Sequence, residues 1–505
     1  MGQVLCKLSH GLAMNQNANT LTHDPPIVKP SDQLTSSIPL VTDLDGTLIK
    51  TDSLAESLFA IMRQNPLSIF IVLFWLLKGR AYLKQQVSRR ITLDVSLLPY
   101  HQGLLDYLKV QHGHGRRLVL ATGADEEIAL RVADYLQLFD GIFASDGKTN
   151  LTAQQKRDRL VREFGEKGFD YAGDGRRDLV IWSSARRGLI VSSSRSLPRA
   201  AARRTEVERV FMGRERGMTL CIQAMRPYHW LKNVLVFVPV VMAHRLFEID
   251  LLAKAVLAFW AFSLCASSVY LLNDLVDLSA DRHHPRKRHR PFAAGDLSFL
   301  WAITTVPLLL VSSLLISLLL PLHFLGMLAI YFTLNLTYSF YLKRVVLLDV
   351  IVLAGLYTLR VMAGSASVYI WPSPWLLALS TFLFLSLALV KRYAELVFME
   401  AESGVVQVRG YRIIDKEILA SLGSGSGYVA VLVLALYISS GVAEIHYTRH
   451  QLIWFLCPLL LYWISYVWLK AHRGEMHDDP LVFAARNRVS RIVILLGVII
   501  LALAI

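Results

Sequence analysis

From about residue 230 onward the chain is a series of apolar runs of about 18–23 residues, each long enough to cross a hydrocarbon core of about 30 Å. The first 225 residues are different, being charged and mixed like a soluble sequence. The chain therefore divides into a soluble unit and a polytopic membrane unit. Of the 505 residues, 54% are hydrophobic and 18% charged, against roughly 25% charged in a soluble chain. That balance excludes a disordered protein, a disulfide scaffold and an ordinary cytosolic enzyme.

Lys and Arg number 53 against 39 Asp and Glu, a net charge of +14. Positive-inside bias of a membrane protein accounts for this excess, and nucleic acid is not an expected partner. Cys6, Cys221, Cys265 and Cys457 are scattered, with no CxxC pair, so neither a metal nor a disulfide framework is indicated. Residues 1–37 are polar, lack an apolar signal core and read as a disordered leader.

In the soluble half, Ile38 to Val41 predicts a strand that opens into Thr42-Asp43-Leu44-Asp45-Gly46-Thr47. Two carboxylates two residues apart at a strand's C-terminal end point into the crevice where an open α/β sheet holds its ligands. One can attack phosphorus while the other handles the proton, with Mg²⁺ screening the charge. A second strand, Arg117 to Ala121, ends in Thr122-Gly123. Lys156 lies in a polar helix, and a third strand, Phe169 to Ala172, ends in Gly173-Asp174-Gly175-Arg176-Arg177-Asp178. This ordered set, over residues 38–195, resembles the haloacid dehalogenase (HAD) superfamily of phosphatases, which implies a Rossmann-like α/β fold. By that resemblance Asp43 is the nucleophile and Asp45 the acid/base. Thr122 and Lys156 hold the phosphoryl group, and Asp174, supported by Asp178, binds Mg²⁺ beside Asp43.

A helical cap is expected over about 52–100. Its segment Leu67 to Leu77 is too short to span a membrane. It reads either as a buried cap helix or as an interfacial helix resting on the bilayer. Residues 196–220, rich in Ser and Arg, read as a basic linker, and the membrane half occupies 221–505. Met225-Arg226-Pro227-Tyr228-His229-Trp230 suits a membrane interface. Spans are expected near 231–243, 253–272, 297–319, 322–341, 346–368, 375–390, 427–441, 452–469 and 490–505, about nine in all. The loops 273–296, 342–345, 391–419 and 470–489 are rich in Lys and Arg, whereas those near 320, 370 and 446 are not. The basic loops and the soluble half are thus expected on the cytoplasmic side of the cell (inner) membrane, with the C-terminus outside.

The cytoplasmic loops carry the chemistry. In Asn273-Asp274-Leu275-Val276-Asp277-Leu278-Ser279-Ala280-Asp281 the three Asp are spaced three and four apart and would share one helix face. Three such carboxylates repel unless cations bind between them, and Mg²⁺ favours a few carboxylates plus phosphate oxygens. A basic tail, His283 to Gly295, follows with Lys287 and Arg290 as phosphate-binding candidates. Over roughly 220–505 these features resemble the UbiA-type superfamily of intramembrane polyprenyl transferases, which implies an all-α membrane domain whose Asn-Asp-x-x-Asp-x-x-x-Asp motif holds Mg²⁺ and a diphosphate. Most members carry a second Asp-x-x-x-Asp cluster after the sixth helix. Here that loop begins Lys391-Arg392-Tyr393-Ala394-Glu395.

The basic tail, Leu348-Asp349-Val350, Arg360-Val361-Met362-Ala363-Gly364, Lys391-Arg392-x-x-Glu395 and Arg473 to Pro480 look like the decaprenyl-phosphate phosphoribosyltransferase branch. Phe292 is a small departure from it. The resemblance implies transfer of 5-phosphoribosyl from phosphoribosyl pyrophosphate to a polyprenyl phosphate. Lys343, Arg360, Lys391 and Arg392 would serve the phosphates, and Asn273, Asp349 and Glu395 would join the substrate site. The expected partners are an isoprenoid lipid, a diphosphate donor, membrane lipid and a second copy of the chain. Two alternatives stand beside this one. One is prenyl transfer to an aromatic or quinone-precursor acceptor, and the other is a transferase with an inactive regulatory HAD module.

Overall fold

A computed structural model describes residues 38–65, 68–91, 93–145, 151–213, 217–284, 286–402, 407–408, 410–476 and 479–505. The expected leader, 1–37, lies outside them, as do Leu67, His477 and Asp478.

The N-terminal half is a six-stranded sheet of β1 (Leu40–Thr42), β2 (Leu118–Asp125), β3 (Gly141–Ser145), β4 (Asp170–Gly173), β5 (Arg187–Val191) and β6 (Glu206–Phe211). Its order is β3-β2-β1-β4-β5-β6, and every pairing is parallel. The nearly continuous burial of β1, β2 and β4 is what a parallel sheet covered on both faces requires. Alternate residues feed two cores. Leu40, Leu118 and Leu120 meet α4 (Gln102–Gly113) and α5 (Glu126–Leu136). Val41, Val119 and Ala121 meet α6 (Ala153–Phe164), α7 (Leu179–Ser184) and α8 (Ser196–Ala201). Asp170, fully buried at the start of β4, is matched by Arg116 and by Arg186 Nε at 3.0 Å.

Strand β6 corrects an expectation, because it lies inside the stretch read as a linker. Its charged residues alternate with Val207 and Val210 on an edge strand that pairs only with β5, so no apolar run marks it. The expected insert is present as α1 (Ser53–Gln64), α2 (Ser68–Leu77) and α3 (Arg80–Arg90).

The membrane half begins with α9 (Met218–Met225), a run of 3-10 turns over Pro227–Phe237 and α10 (Val238–Met242). There follow α11 (Ile249–Val276), α12 (Leu278–His283), α13 (Phe299–Ser317), α14 (Leu322–Phe340), α15 (Leu348–Val368) and α16 (Pro374–Glu402). The chain ends with α17 (Lys416–Ser439), α18 (Val442–His446), α19 (Leu456–His472), α20 (Pro480–Arg486) and α21 (Arg488–Ala504). Among the described residues six helices are long and apolar enough to cross a membrane, seven if α20 and α21, bent by 84°, form one span. The expected nine are not reached. Residues 231–243 form no single long helix: a 3-10 run ends at Phe237, and Pro239, which lacks an N–H, stands at the start of the short α10. α14 lies where a span was expected, but His323, Asn335, Thr333, Thr337 and Ser339 dilute it, and it is not one of the six. Gly364 lets α15 close on the 3-10 segment, since a Cβ there would sit 2.1 Å from the Val236 carbonyl oxygen.

The two halves touch. Ala55 and Phe59 of α1 pack against the cluster containing Leu271, Leu275 and Phe292, and the Phe59 and Phe299 rings lie 4.9 Å apart. The unusual Phe292 is fully buried there. Glu56 receives a two-pronged ion pair from Arg282, at 2.6 and 3.1 Å, with both side chains under a tenth exposed. Lys50 pairs with Asp296 at 3.0 Å.

Candidate active sites

The first site gathers at the C-terminal ends of β1, β2 and β4. Lys156 Nζ lies 2.9 Å from Asp43 Oδ2 and 3.3 Å from the Tyr171 hydroxyl. Asp43 Oδ1 accepts the Leu44 N–H at 2.8 Å. Asp45 Oδ1 accepts the N–H of Ser53, so its carboxylate is fixed by the start of α1. The Thr47 hydroxyl reaches Asp174 Oδ1 at 3.4 Å. Gly46, at φ +78°, allows this convergence, since a Cβ there would lie 2.4 Å from Asp174 Oδ2. Thr122 is fully buried, and its hydroxyl caps the N–H of Ala124. Asp178 is a support: its oxygens take the Tyr171 hydroxyl at 3.3 Å and the N–H groups of Asp174 and Gly175 at 3.1 and 2.9 Å. It therefore holds the turn that presents Asp174.

Electrostatics mark the same spot. Burial and the nearby Asp52 raise the Asp45 carboxyl to about 7. Burial, Asp178 and Asp43 raise that of Asp174 to about 7 as well. A carboxyl protonated near neutrality can give a proton, and a crowded acidic cluster gains from a cation.

The second site lies where α11 passes into α12. The three Asp do not share one continuous helix, because α11 ends at Val276 and Asp277 joins it to α12. Their repulsion is met by protein cations. Asp274 pairs with Arg226 and, at 3.3 Å, with Arg290. Arg290 also reaches Asp281 Oδ2 at 2.6 Å, and Lys343 reaches Asp277 Oδ1 at 2.5 Å. Burial raises the Asp281 carboxyl, while Arg290 and Lys287 lower it. Arg226 was read only as an interface anchor; nothing in its sequence neighbourhood points to Asp274.

A second knot sits nearby. Asp479 takes Lys232 at 2.6 Å, Lys391 at 3.4 Å and the Tyr357 hydroxyl at 3.1 Å. Neither Asp479 nor Lys232 was singled out as a site residue, although Asp479 stands in the quoted 473–480 motif. Two expected phosphate ligands are committed elsewhere. Arg392 is buried against Asp349, Glu395 and the Tyr338 hydroxyl. Arg360 is buried against Asn233 Oδ1 and the Tyr331 hydroxyl, both at 2.9 Å. Lys391, about a third exposed, remains open to a ligand.

Among the described residues no three His, Cys, Asp or Glu form a ready cation cage. The donor sets nonetheless fit Mg²⁺, which takes one or two carboxylates and leaves its other positions to water and phosphate. At the first site Asp43 and Asp174 are such a pair. At the second, the buried Asn273 Oδ1 has no hydrogen-bond partner beside Asp274 and Asp277.

An acidic motif at a membrane helix end, closed by basic residues of neighbouring helices, defines an intramembrane transferase class. The chain belongs to the UbiA prenyltransferase family, whose model matches residues 234–502. It is 34% identical over 458 residues to uncharacterized protein y4nM of Sinorhizobium fredii, covering 90% of this chain and 88% of that one. Nodulation protein NoeC of Azorhizobium caulinodans is 36% identical over 55% of this chain and 90% of its own length. The decaprenyl-phosphate phosphoribosyltransferase of Mycolicibacterium smegmatis is 40% identical over 183 residues, 35% of this chain and 58% of that enzyme. Among solved structures, a UbiA homolog from Archaeoglobus fulgidus bound to GPP and Mg²⁺ aligns with a TM-score of 0.45 at 17% identity, over 56% of this chain and 99% of that one.

Proposed function

We propose that the protein is a bifunctional membrane enzyme whose UbiA half transfers 5-phosphoribosyl from phosphoribosyl pyrophosphate to a polyprenyl phosphate. A lipid phosphate oxygen attacks C1 of the ribose, the C1–oxygen bond to pyrophosphate breaks, and pyrophosphate leaves. Asn273, Asp274, Asp277 and Asp281 would hold Mg²⁺, which when bound neutralises charge on the departing diphosphate. Arg226, Lys287, Arg290 and Lys343, already drawn to these carboxylates, turn to the phosphates as the donor enters. Lys391 serves the lipid phosphate, while Arg360, Arg392, Asp349 and Glu395 fix the helices that present it. The observation that carries this reading is Lys391 of α16 standing on Asp479 with Lys232, at the position where the family resemblance leads one to expect a second acidic cluster. Identity to phosphoribosyltransferases supports it.

The N-terminal half is read as a HAD-type phosphatase, with Mg²⁺ at Asp43 and Asp174. Asp43 attacks the phosphorus of a monoester, and Asp45 gives its proton to the departing sugar oxygen. Thr122 and Lys156 steady the phosphoryl group. The 5-phosphate of the transferase product is such a monoester. Loop charge supports a cytoplasmic side for this half. The C-terminus is read at the opposite face; the Thr448 hydroxyl donates to the Ile505 carbonyl at 2.7 Å, which sets it beside the 446–450 loop.

The test is the donor that purified protein consumes with Mg²⁺. Ribose label entering the lipid fraction is the expected result. Transfer of a prenyl chain to 4-hydroxybenzoate without ribose transfer would overturn the reading in favour of prenyl transfer.

A further inference from the structure

Helix α2 contains no charged residue, and five of its large apolar side chains stand in the open. Phe70 is 69% and Leu77 87% exposed, with Ile71, Phe74 and Leu76 between them. Its inner side is held: Trp75 is buried with Ile61 of α1, Leu83 and Val87 of α3 and Ile91 just after it. The exposed residues are therefore a fixed outward surface on an anchored helix. Ten residues rise only about 15 Å, half of a hydrocarbon core, so α2 cannot span.

Its position identifies the partner. α1, which leads directly into α2, is already seated on the membrane half, with Phe59 against Phe299, the first residue of α13. The next outward residues of that helix, Leu300 and Ile303, are exposed like the rest of its apolar flank. The helix that carries the α2 surface thus follows directly on one seated at the start of a membrane helix, at the end of the bundle that bears the Asp274 cluster. Cations border it in the manner of a headgroup zone: Lys78 lies over the Phe74 ring at 4.7 Å, and Arg90 over Trp75 at 4.5 Å.

We propose that α2 lies in the headgroup–acyl boundary of the bilayer and that its partner is lipid. The arrangement reaches the first site through α3, whose Lys84 donates to the Gly123 carbonyl at 2.5 Å. Lys84 lines a cleft with Asp45, Asp52, Ser53 and Asp125. Seating α2 in the leaflet therefore sets that cleft beside the membrane surface, where it meets a phosphate monoester borne by a lipid rather than a free one. This last step rests on the phosphatase reading; the seating of α2 does not.

The experiment uses the full chain with its native cysteines replaced and an environment-sensitive fluorophore on Leu77→Cys, in nanodiscs of zwitterionic and anionic phospholipid. The expected result is blue-shifted emission that is lost when the lipids carry a nitroxide near the glycerol end of the acyl chain. The same label on Val180→Cys, on the sheet domain, is the comparison and should keep its emission. A Leu77→Cys label that the nitroxide lipid does not quench, or whose shift appears only on raising protein concentration, overturns the proposal, the latter in favour of a second copy. In the second arm, Phe70→Ser/Phe74→Ser/Leu77→Ser is expected to lose about tenfold in kcat/KM on a lipid-borne phosphate monoester while keeping p-nitrophenyl phosphate hydrolysis. Equal loss on both substrates overturns the link to substrate. A quenched label with no hydrolysis by the unsubstituted protein would remove the phosphatase reading and leave the seating of α2 intact.

Discussion

Asp277 is the residue on which the acidic motif is best tested. It is the most open of the three carboxylates, about a third exposed, and among the described residues its one ion pair is with Lys343. A partly exposed pair of this kind contributes at most about 1 kcal/mol, so Asp277→Asn should leave melting nearly unchanged while abolishing transfer. Near-normal turnover would show that the motif does not hold the metal and diphosphate. The adjacent cations Lys391 and Arg392 look alike in sequence and should behave in opposite ways. Arg392→Ala leaves Asp349 buried without its counter-ion, a loss of about 3–5 kcal/mol, visible as a large fall in thermal stability. Lys391→Ala removes an open cation and should weaken phosphate handling by about 1.5–3 kcal/mol, read as a fall in kcat/KM with the fold intact. If Lys391→Ala were the unstable variant and Arg392→Ala the inactive one, the assignment of roles would be reversed. Burial separates the two, and burial is a property of the packed bundle that adjacency in sequence does not disclose.

At the level of elements, the strongest local signals lie where one strand or loop carries all of them. β1 and β4, with their terminal Asp residues, are apolar runs broken by Asp-Gly turns, and the structure places them as the sequence predicts. β6 escapes because an edge strand needs apolar residues on only part of its surface, and the 3-10 run before α10 escapes because it ends, close to Pro239, within an apolar stretch whose composition still resembles a span. Partners across elements are invisible for the same reason: Arg226, Lys232 and Asp479 meet their counter-charges only after helices distant in sequence pack together. The pair between Glu56 on α1 and Arg282 on α12 is another such contact, and it joins the soluble and membrane halves. Glu56→Gln leaves Arg282 enclosed without a counter-ion, which should cost about 3 kcal/mol. Hydrogen exchange over Ser53–Gln64 should then accelerate while the amides of β1 and β2 keep their protection. Unchanged exchange in α1 would mean that apolar packing around Phe59 alone holds the halves together.

For the whole molecule, the decisive question is whether two chemistries act in sequence on one lipid. The geometry brings them close. With β6 ending at Phe211 and α9 beginning at Met218, only residues 212–217 connect sheet and bundle, a tether that spans at most about 25 Å when fully extended. The Lys50–Asp296 and Glu56–Arg282 pairs then fix the β1 loop and α1, which carry Asp45 and its Ser53 contact, against the helix that follows Asp281. Both sites thus stay at one end of the bundle, which is what the proposed sequence of transfer and dephosphorylation requires. Asp43→Asn separates the steps. It removes the carboxylate proposed to attack and leaves in place the Lys156 that faces it, and it touches none of the residues assigned to the transferase donor. Ribose transfer should therefore proceed at the normal rate, while the product keeps its 5-phosphate and accumulates in that form. Mass spectrometry of the lipid from both forms is the measurement. The unsubstituted protein should yield the dephosphorylated pentose lipid, and Asp43→Asn the species heavier by one phosphate. The same phosphorylated product in the same amount from both would mean that the N-terminal half acts on some other ester, and the sequential scheme would fall while the transferase assignment stood.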